Sequence, residues 1–150
     1  MSSDPIRVLL IEDDQVDADS VRRRLAKSET RFEIDHFTTL EPSLGALAQN
    51  LPDVVVLDLG LPDSAGIQSL QAIRSRQPDL PIVVLTGWDE VFSIRLRQAG
   101  ASDYLVKGRL GDGVLEKTLL FAIERAGWQR KVNRLEILVA ELRSAAPTKS

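Results

Sequence analysis

The residues of this chain with the clearest chemical potential are few and widely spaced: the acidic run Glu12, Asp13 and Asp14, then Asp58, then Thr86 followed by Gly87, then Lys107. Each closes an apolar run, in "LLIEDD", "VVVLDLGLPDSAG", "VVLTG" and "YLVKG". Singly, each has a plain reading: an acidic run caps a helix, a threonine suits a strand and a lysine is solvated. Together they describe a site. Converging carboxylates repel and raise one another's pKa unless a cation sits among them. Oxygen ligands without His or Cys favour a hard ion such as Mg²⁺, which shares its coordination readily with a phosphoryl group. Asp58 can then act as a nucleophile towards a phosphoryl donor and form an aspartyl phosphate. The metal and Lys107 would neutralise the equatorial oxygens, and the Thr86 hydroxyl would donate a hydrogen bond.

Such a site needs elements that bring these residues to one place. Five short apolar runs read as strands: residues 6–11, 32–37, 53–58, 80–86 and 102–107. Between them, apolar residues recur at helical spacing at Ala18, Val21 and Leu25, at Leu40, Leu44, Leu47, Ala48 and Leu51, at Ile67, Leu70 and Ile73, and at Leu115, Leu119, Ala122 and Ala126. Asp14, Thr39, Ser64 and Asp112 are expected N-caps, Gly100 stands where a helix should end, and Pro52, Pro78 and Pro81 fall between elements. Alternating strands and helices predict an α/β fold, a doubly wound five-stranded parallel sheet between helical layers with right-handed crossovers. In such a sheet ligands bind beyond the carboxyl ends of the strands, where the acidic run, Asp58, Thr86 and Lys107 all lie.

These motifs, in this order, resemble those of the response-regulator receiver domain of two-component signalling over residues 6–125, and the resemblance implies the flavodoxin-like, CheY-like receiver fold. It also implies that a sensor histidine kinase or a histidine phosphotransfer protein donates a phosphoryl group to Asp58. Mg²⁺ would be held by Glu12 or its bound water, Asp13, Asp58 and the backbone carbonyl of Leu59, leaving Asp14 as a helix cap. Thr86, with Gly87 after it, would move towards the added charge, and the aromatic Tyr104 would turn into the vacated space and remodel the partner-binding face. Tyr104 has the plain alternative of a half-buried strand aromatic.

Two positions depart from the commonest family pattern. Gly108 follows Lys107 where many receivers have proline, so a cis peptide is not expected there. Gly60 and Trp88 follow Asp58 and Thr86 by two residues; Gly60 leaves room for water at the acyl phosphate, whereas Trp88 could shield it. Gly60 also speaks against a phosphatase of the haloacid dehalogenase type, whose general acid stands at that position. The expectation is a non-enzymatic phosphoacceptor, and a docking-only pseudo-receiver fits poorly with an intact Asp13, Asp58, Thr86 and Lys107. His36, in the second strand, reads as structural and far from the catalytic edge.

The last helical pattern outruns the domain: Trp128, Val132, Leu135, Val139 and Leu142 continue at spacings near 3.5. The expected division is a receiver over 1–127, a helical extension over 128–144 and a polar tail over 145–150. The extension either forms a short coiled coil in a homodimer or is a frayed, partly docked tail. Its basic residues Arg125, Arg130, Lys131 and Arg134 read as a solvated face. With 150 residues, 43% hydrophobic and 27% charged, the chain has the balance of one globular domain. A net charge of −3 gives no electrostatic case for nucleic acid as a partner. No apolar run reaches the roughly 20 residues of a membrane span, so no membrane insertion and a cytoplasmic location are expected. The absence of cysteine excludes disulfides and thiolate chemistry.

Overall fold

A computed structural model describes residues 4–64, 66–87 and 93–145. Strands β1 (Ile6–Ile11), β2 (Phe32–Phe37), β3 (Val54–Asp58), β4 (Ile82–Thr86) and β5 (Asp103–Val106) alternate with helices α1 (Gln15–Ala26), α2 (Leu40–Gln49), α3 (Ile67–Arg76), α4 (Ser93–Gln98) and α5 (Val114–Ala145). The sheet is parallel throughout, in the order β2-β1-β3-β4-β5. The doubly wound sheet expected from the alternation is the one observed.

The reason lies in side chains that alternate between the two faces of the central strands β1, β3 and β4, whose apolar residues are buried on both. Leu9, Ile11, Val55, Leu57, Ile82 and Val84 pack with Leu44 of α2, Leu70 and Ile73 of α3 and Leu96 of α4. The residues between them, Val8, Leu10, Val54, Val56, Val83 and Leu85, pack with Val21 of α1 and Leu119 of α5. Ala48 and Leu51, expected in the helical stripe, are exposed; Leu51 lies beyond the end of α2.

The chain winds one way from β1 to β2 and the other from β3 to β5, so the direction reverses between β1 and β3. At such a reversal the adjacent crossovers depart to opposite sides and leave a crevice at the carboxyl ends of the two strands. The sequence places Glu12 and Asp13 after β1 and Asp58 at the end of β3.

Some boundaries differ from expectation because long-range contacts and backbone geometry override local capping signals. Asp14 does cap α1, its carboxylate accepting from the Asp17 amide at 3.0 Å. Thr39 occupies the N-cap position of α2 without a side-chain bond, and the amides of Leu40 and Glu41 donate instead to Asp63 Oδ1 and Oδ2 at 2.8 and 3.0 Å. Ser64 does not cap α3, which begins after Gly66 at φ 51°. Asp112 and Gly113 have left-handed backbones, φ 57° and 77°, and α5 starts after them. Lys107 lies not at the end of β5 but at the start of a 3-10 turn, Lys107–Arg109. Gly100 ends the α4 segment at φ 110°, as expected of a left-handed helix terminus.

Arg74, on α3, ties this end of the molecule together. Its guanidinium donates to the carbonyls of Gly100 (2.6 and 3.0 Å), Gln77 (3.0 Å), Pro78 (2.9 Å) and Leu80 (2.7 Å). One side chain thus satisfies carbonyls at the end of α3, before β4 and after α4.

Candidate functional site

At the crevice, Glu12 is fully buried, Asp13 is exposed and Asp58 is 5% exposed. A carboxylate oxygen from each lies within 4.8 Å of the others, so the three together could hold a metal ion. The backbone fixes two of them: the Asp14 amide donates to Glu12 Oε1 at 3.0 Å and the Gly60 amide to Asp58 Oδ1 at 3.2 Å. Glu12 Oε2 lies 3.2 Å from Lys107 Nζ yet is buried without a hydrogen-bond partner. That oxygen faces the Lys107 ammonium without a hydrogen bond, and the all-oxygen donor set of the three acids suits a hard cation.

Lys107 Nζ reaches Asp58 Oδ1 at 3.2 Å and Asp17 Oδ2 at 2.9 Å. Burial pushes the Glu12 carboxyl up to about 8, and the neighbouring Asp58 carboxylate adds to the rise. Burial also acts to raise Asp58, but the neighbouring Glu12 carboxyl, the Gly60 amide and the Lys107 ammonium outweigh it and hold Asp58 below the ordinary carboxylate value. Burial acts to lower Lys107, and the carboxylates of Asp17, Asp58 and Glu12 raise it above the usual lysine value. The two neighbouring acids are thus pulled apart, Glu12 upward and Asp58 downward, beside the Lys107 ammonium.

One cleft is lined by Asp13, Asp58, Leu59, Thr86, Gly87 and Lys107, so the predicted site residues of four strand ends are brought together. Thr86 ends β4 and is 5% exposed. The Leu59 carbonyl accepts from the Gly66 amide at 3.1 Å, which leaves its second lone pair. A Cβ at Gly60 would stand 3.7 Å from Asp58 Oδ2, so any side chain there would border that carboxylate. Tyr104 is outside the cleft; it is half-buried against the α2–α4 side of the core, in register with Val84, two residues before Thr86 and on the same face. Among the described residues no peptide bond is cis, including Lys107–Gly108. Trp88 and residues 146–150 lie outside the described residues.

Two site neighbours were not expected from sequence. Asp17 lines the cleft and pairs with Lys107; its signal was its place three residues after the Asp14 cap, in the turn of α1 nearest the acidic run. His36 is not far from this edge: its Nε2 lies 2.7 Å from the Glu12 carbonyl oxygen. Parallel pairing sets Leu10 beside His36, so the ring reaches the backbone just past β1 and helps to position Glu12. Ile67 and Leu96 add apolar wall to the cleft.

Residues 8–118 match the family model for the response regulator receiver domain. The chain is 39% identical over 68% of its length to the transcriptional regulatory protein QseB of Haemophilus influenzae, covering 46% of that protein. It is 38% identical over 69% of its length to the response regulator MprA of a Mycobacterium species, strain KMS, covering 44% of it. The Mn²⁺-bound form of the response regulator Rcp1 superposes with a TM-score of 0.65 at 26% identity, over 77% of this chain and 90% of that one. The chain spans less than half the length of the curated relatives it matches. A relative named as a transcriptional regulatory protein stands against the exclusion of nucleic acid drawn from net charge, because a segment's own charge does not bear on what a domain joined to it binds. Among the described residues no helix is long and apolar enough to cross a membrane.

Proposed function

The chain belongs to the response regulator receiver domain family, and from that premise we propose that it is a single-domain response regulator phosphorylated on Asp58. The donor is a sensor histidine kinase or a histidine phosphotransfer protein, and the setting is cytoplasmic. The observation that carries this reading is the Asp58 carboxylate oxygen 3.2 Å from Lys107 Nζ at the sheet's point of reversal. One Asp58 oxygen forms a bond to phosphorus as the P–N bond to the donor imidazole breaks, and the departing imidazole nitrogen takes a proton from solvent. Lys107 then pairs with the phosphoryl oxygens, and Thr86 donates its hydroxyl to one of them.

The ligand set for Mg²⁺ is Glu12, Asp13, Asp58 and the Leu59 carbonyl, and the bound ion would supply charge neutralisation at the phosphoryl oxygens. The added charge draws Thr86, with Gly87, towards Asp58 and opens space on the face it shares with Tyr104, whose inward turn reshapes the partner-binding surface. The receiver occupies residues 1–127, the extension 128–144 and the polar tail 145–150. Apart from its own phosphorylation and dephosphorylation the chain catalyses nothing, since Gly60 cannot transfer a proton to an outside leaving group.

Intact-mass spectrometry after incubation with a small phosphodonor, with and without Mg²⁺, tests the reading. A single Mg²⁺-dependent phosphoryl adduct that is absent from Asp58→Asn is expected. An adduct that persists in Asp58→Asn removes Asp58 as the acceptor, and one that forms equally in chelator removes the metal requirement.

A further inference from the structure

The outer half of α5 is an apolar surface that nothing among the described residues buries. Arg125 Nη2 still reaches back to the body, 3.3 Å from the Ser102 carbonyl and 3.4 Å from Asp103 Oδ2. Beyond it, no residue from Trp128 to Ala145 is buried. Trp128 and Leu135 are each 60% exposed and Leu142 is 71% exposed, and the Nζ of Lys131, on the same helix, lies 4.8 Å from the Trp128 ring centroid.

We propose that residues 128–142 pair with the same segment of a second copy of this chain as a parallel, in-register, two-stranded coiled coil. This reading is independent of the phosphorylation chemistry. Trp128, Val132, Leu135, Val139 and Leu142 follow one another at intervals of 4, 3, 4 and 3, which places Val132 and Val139 at a positions and Trp128, Leu135 and Leu142 at d positions. β-branched residues at a with leucine at d favour two parallel strands. The flanks agree with self-pairing: Lys131 falls at g and Glu136 at the following e, so each lysine meets the partner's glutamate across the seam.

A segment this short, about 21 Å long at 1.5 Å per residue, would be marginal as a free peptide. Here it needs no nucleation, because it continues a helix already anchored on the sheet by Leu115, Leu119 and Ala122. Ile137 falls on the outer face at f and Leu138 flanks the seam at g, so Ile137 alone of these apolar residues stays exposed in the dimer.

The chain has no cysteine, so single introduced thiols report the pairing directly. Multi-angle light scattering across a concentration series should give twice the 16.6 kDa chain mass, and Val132→Glu/Val139→Glu should return it to 16.6 kDa with the receiver's thermal transition retained. Under mild oxidation Leu135→Cys and Leu142→Cys should each give a disulfide-linked dimer, whereas Arg130→Cys, at f, should not. Lys131→Glu should weaken the dimer several-fold and Lys131→Glu/Glu136→Lys should restore it. These last substitutions lie on exposed positions and leave the fold untouched. A wild-type mass of 16.6 kDa at every concentration overturns the proposal. Crosslinking at Leu135 but not at Leu142 overturns the parallel register, and so does failure of the charge swap to restore the dimer.

Discussion

Lys107 Nζ lies 2.9 Å from Asp17 Oδ2, closer than the 3.2 Å that separates it from Glu12 Oε2 and from Asp58 Oδ1. Asp17 sits in the first turn of α1, where the Asp14 cap holds its amide, so the start of that helix carries a carboxylate that shares the site's lysine. On the proposed phosphorylation of Asp58, the ammonium has to give up one of these contacts to meet the phosphoryl group.

Asp17→Asn should therefore favour the phosphorylated form. The lost ion pair is partly buried and worth about 1 kcal/mol, which corresponds to roughly a five-fold shift in the balance. Intact-mass spectrometry at sub-saturating phosphodonor and fixed Mg²⁺ reads the phosphorylated fraction. It should rise several-fold in Asp17→Asn and fall in Lys107→Ala; a fall in Asp17→Asn would mean that Asp17 holds the lysine in its working position.

Asp13 is the exposed member of the three-carboxylate group. Asp13→Asn should weaken Mg²⁺ binding by about 10-fold or more in titration calorimetry, the order found when groups that support a metal are lost. Without metal its melting temperature should equal or exceed that of the wild type, because a negative charge beside the Asp58 carboxylate is gone. Unchanged Mg²⁺ affinity would place the ion elsewhere.

Gly100 has φ 110°, and a Cβ there would meet Arg74 Cγ at 2.8 Å and Nε at 2.9 Å. Gly100→Ala should destabilise the protein by about 2–3 kcal/mol, part backbone strain and part displacement of the Arg74 clamp. Gly113→Ala, where φ is 77° and the nearest atom is Lys117 Cε at 3.8 Å, should show only the strain, about 1 kcal/mol. In an Arg74→Ala background Gly100→Ala should cost less, and denaturant unfolding of the four-membered cycle measures the coupling.

The Leu40 and Glu41 amides hold the Asp63 carboxyl below its ordinary value of 3.8. A depressed folded-state pKa contributes stability that is present in full above 3.8 and lost as the pH falls through the folded value. Asp63→Ala should lower the melting temperature by a few degrees at pH 7, with the gap from the wild type closing below about pH 4. A gap that stays constant across that range would show that the carboxylate's charge is not what caps α2.

The strand ends were legible because β3 and β4 are wholly apolar up to a polar last residue, and parallel topology sends every such end to one edge. Asp58, Thr86 and Lys107 could be collected by that rule, together with the acidic run after β1. Asp17 could not, because membership of the site depends on which way a helix face points once α1 has docked. His36 was placed wrongly for a related reason: strand position gave its distance along the chain, whereas the register of β1 and β2 puts its ring beside the Glu12 backbone. Local capping signals gave the position but not the bond at Thr39, where Asp63 reaches the start of α2 across 23 residues, and failed at Ser64 and Asp112, where left-handed residues delay the starts of α3 and α5.

By itself, then, the sequence determined the order of elements, the apolar faces that build the sheet and the residue types at its carboxyl edge, since these depend on periodicity and chain connectivity alone. The tertiary structure alone decided how charge is divided within the site. Which acid is pulled upward and which downward, which acid shares Lys107 and which carbonyls Arg74 ties together depend on burial and on distances of about 3 Å between groups far apart in the chain, and those distances exist only once the crossovers have packed.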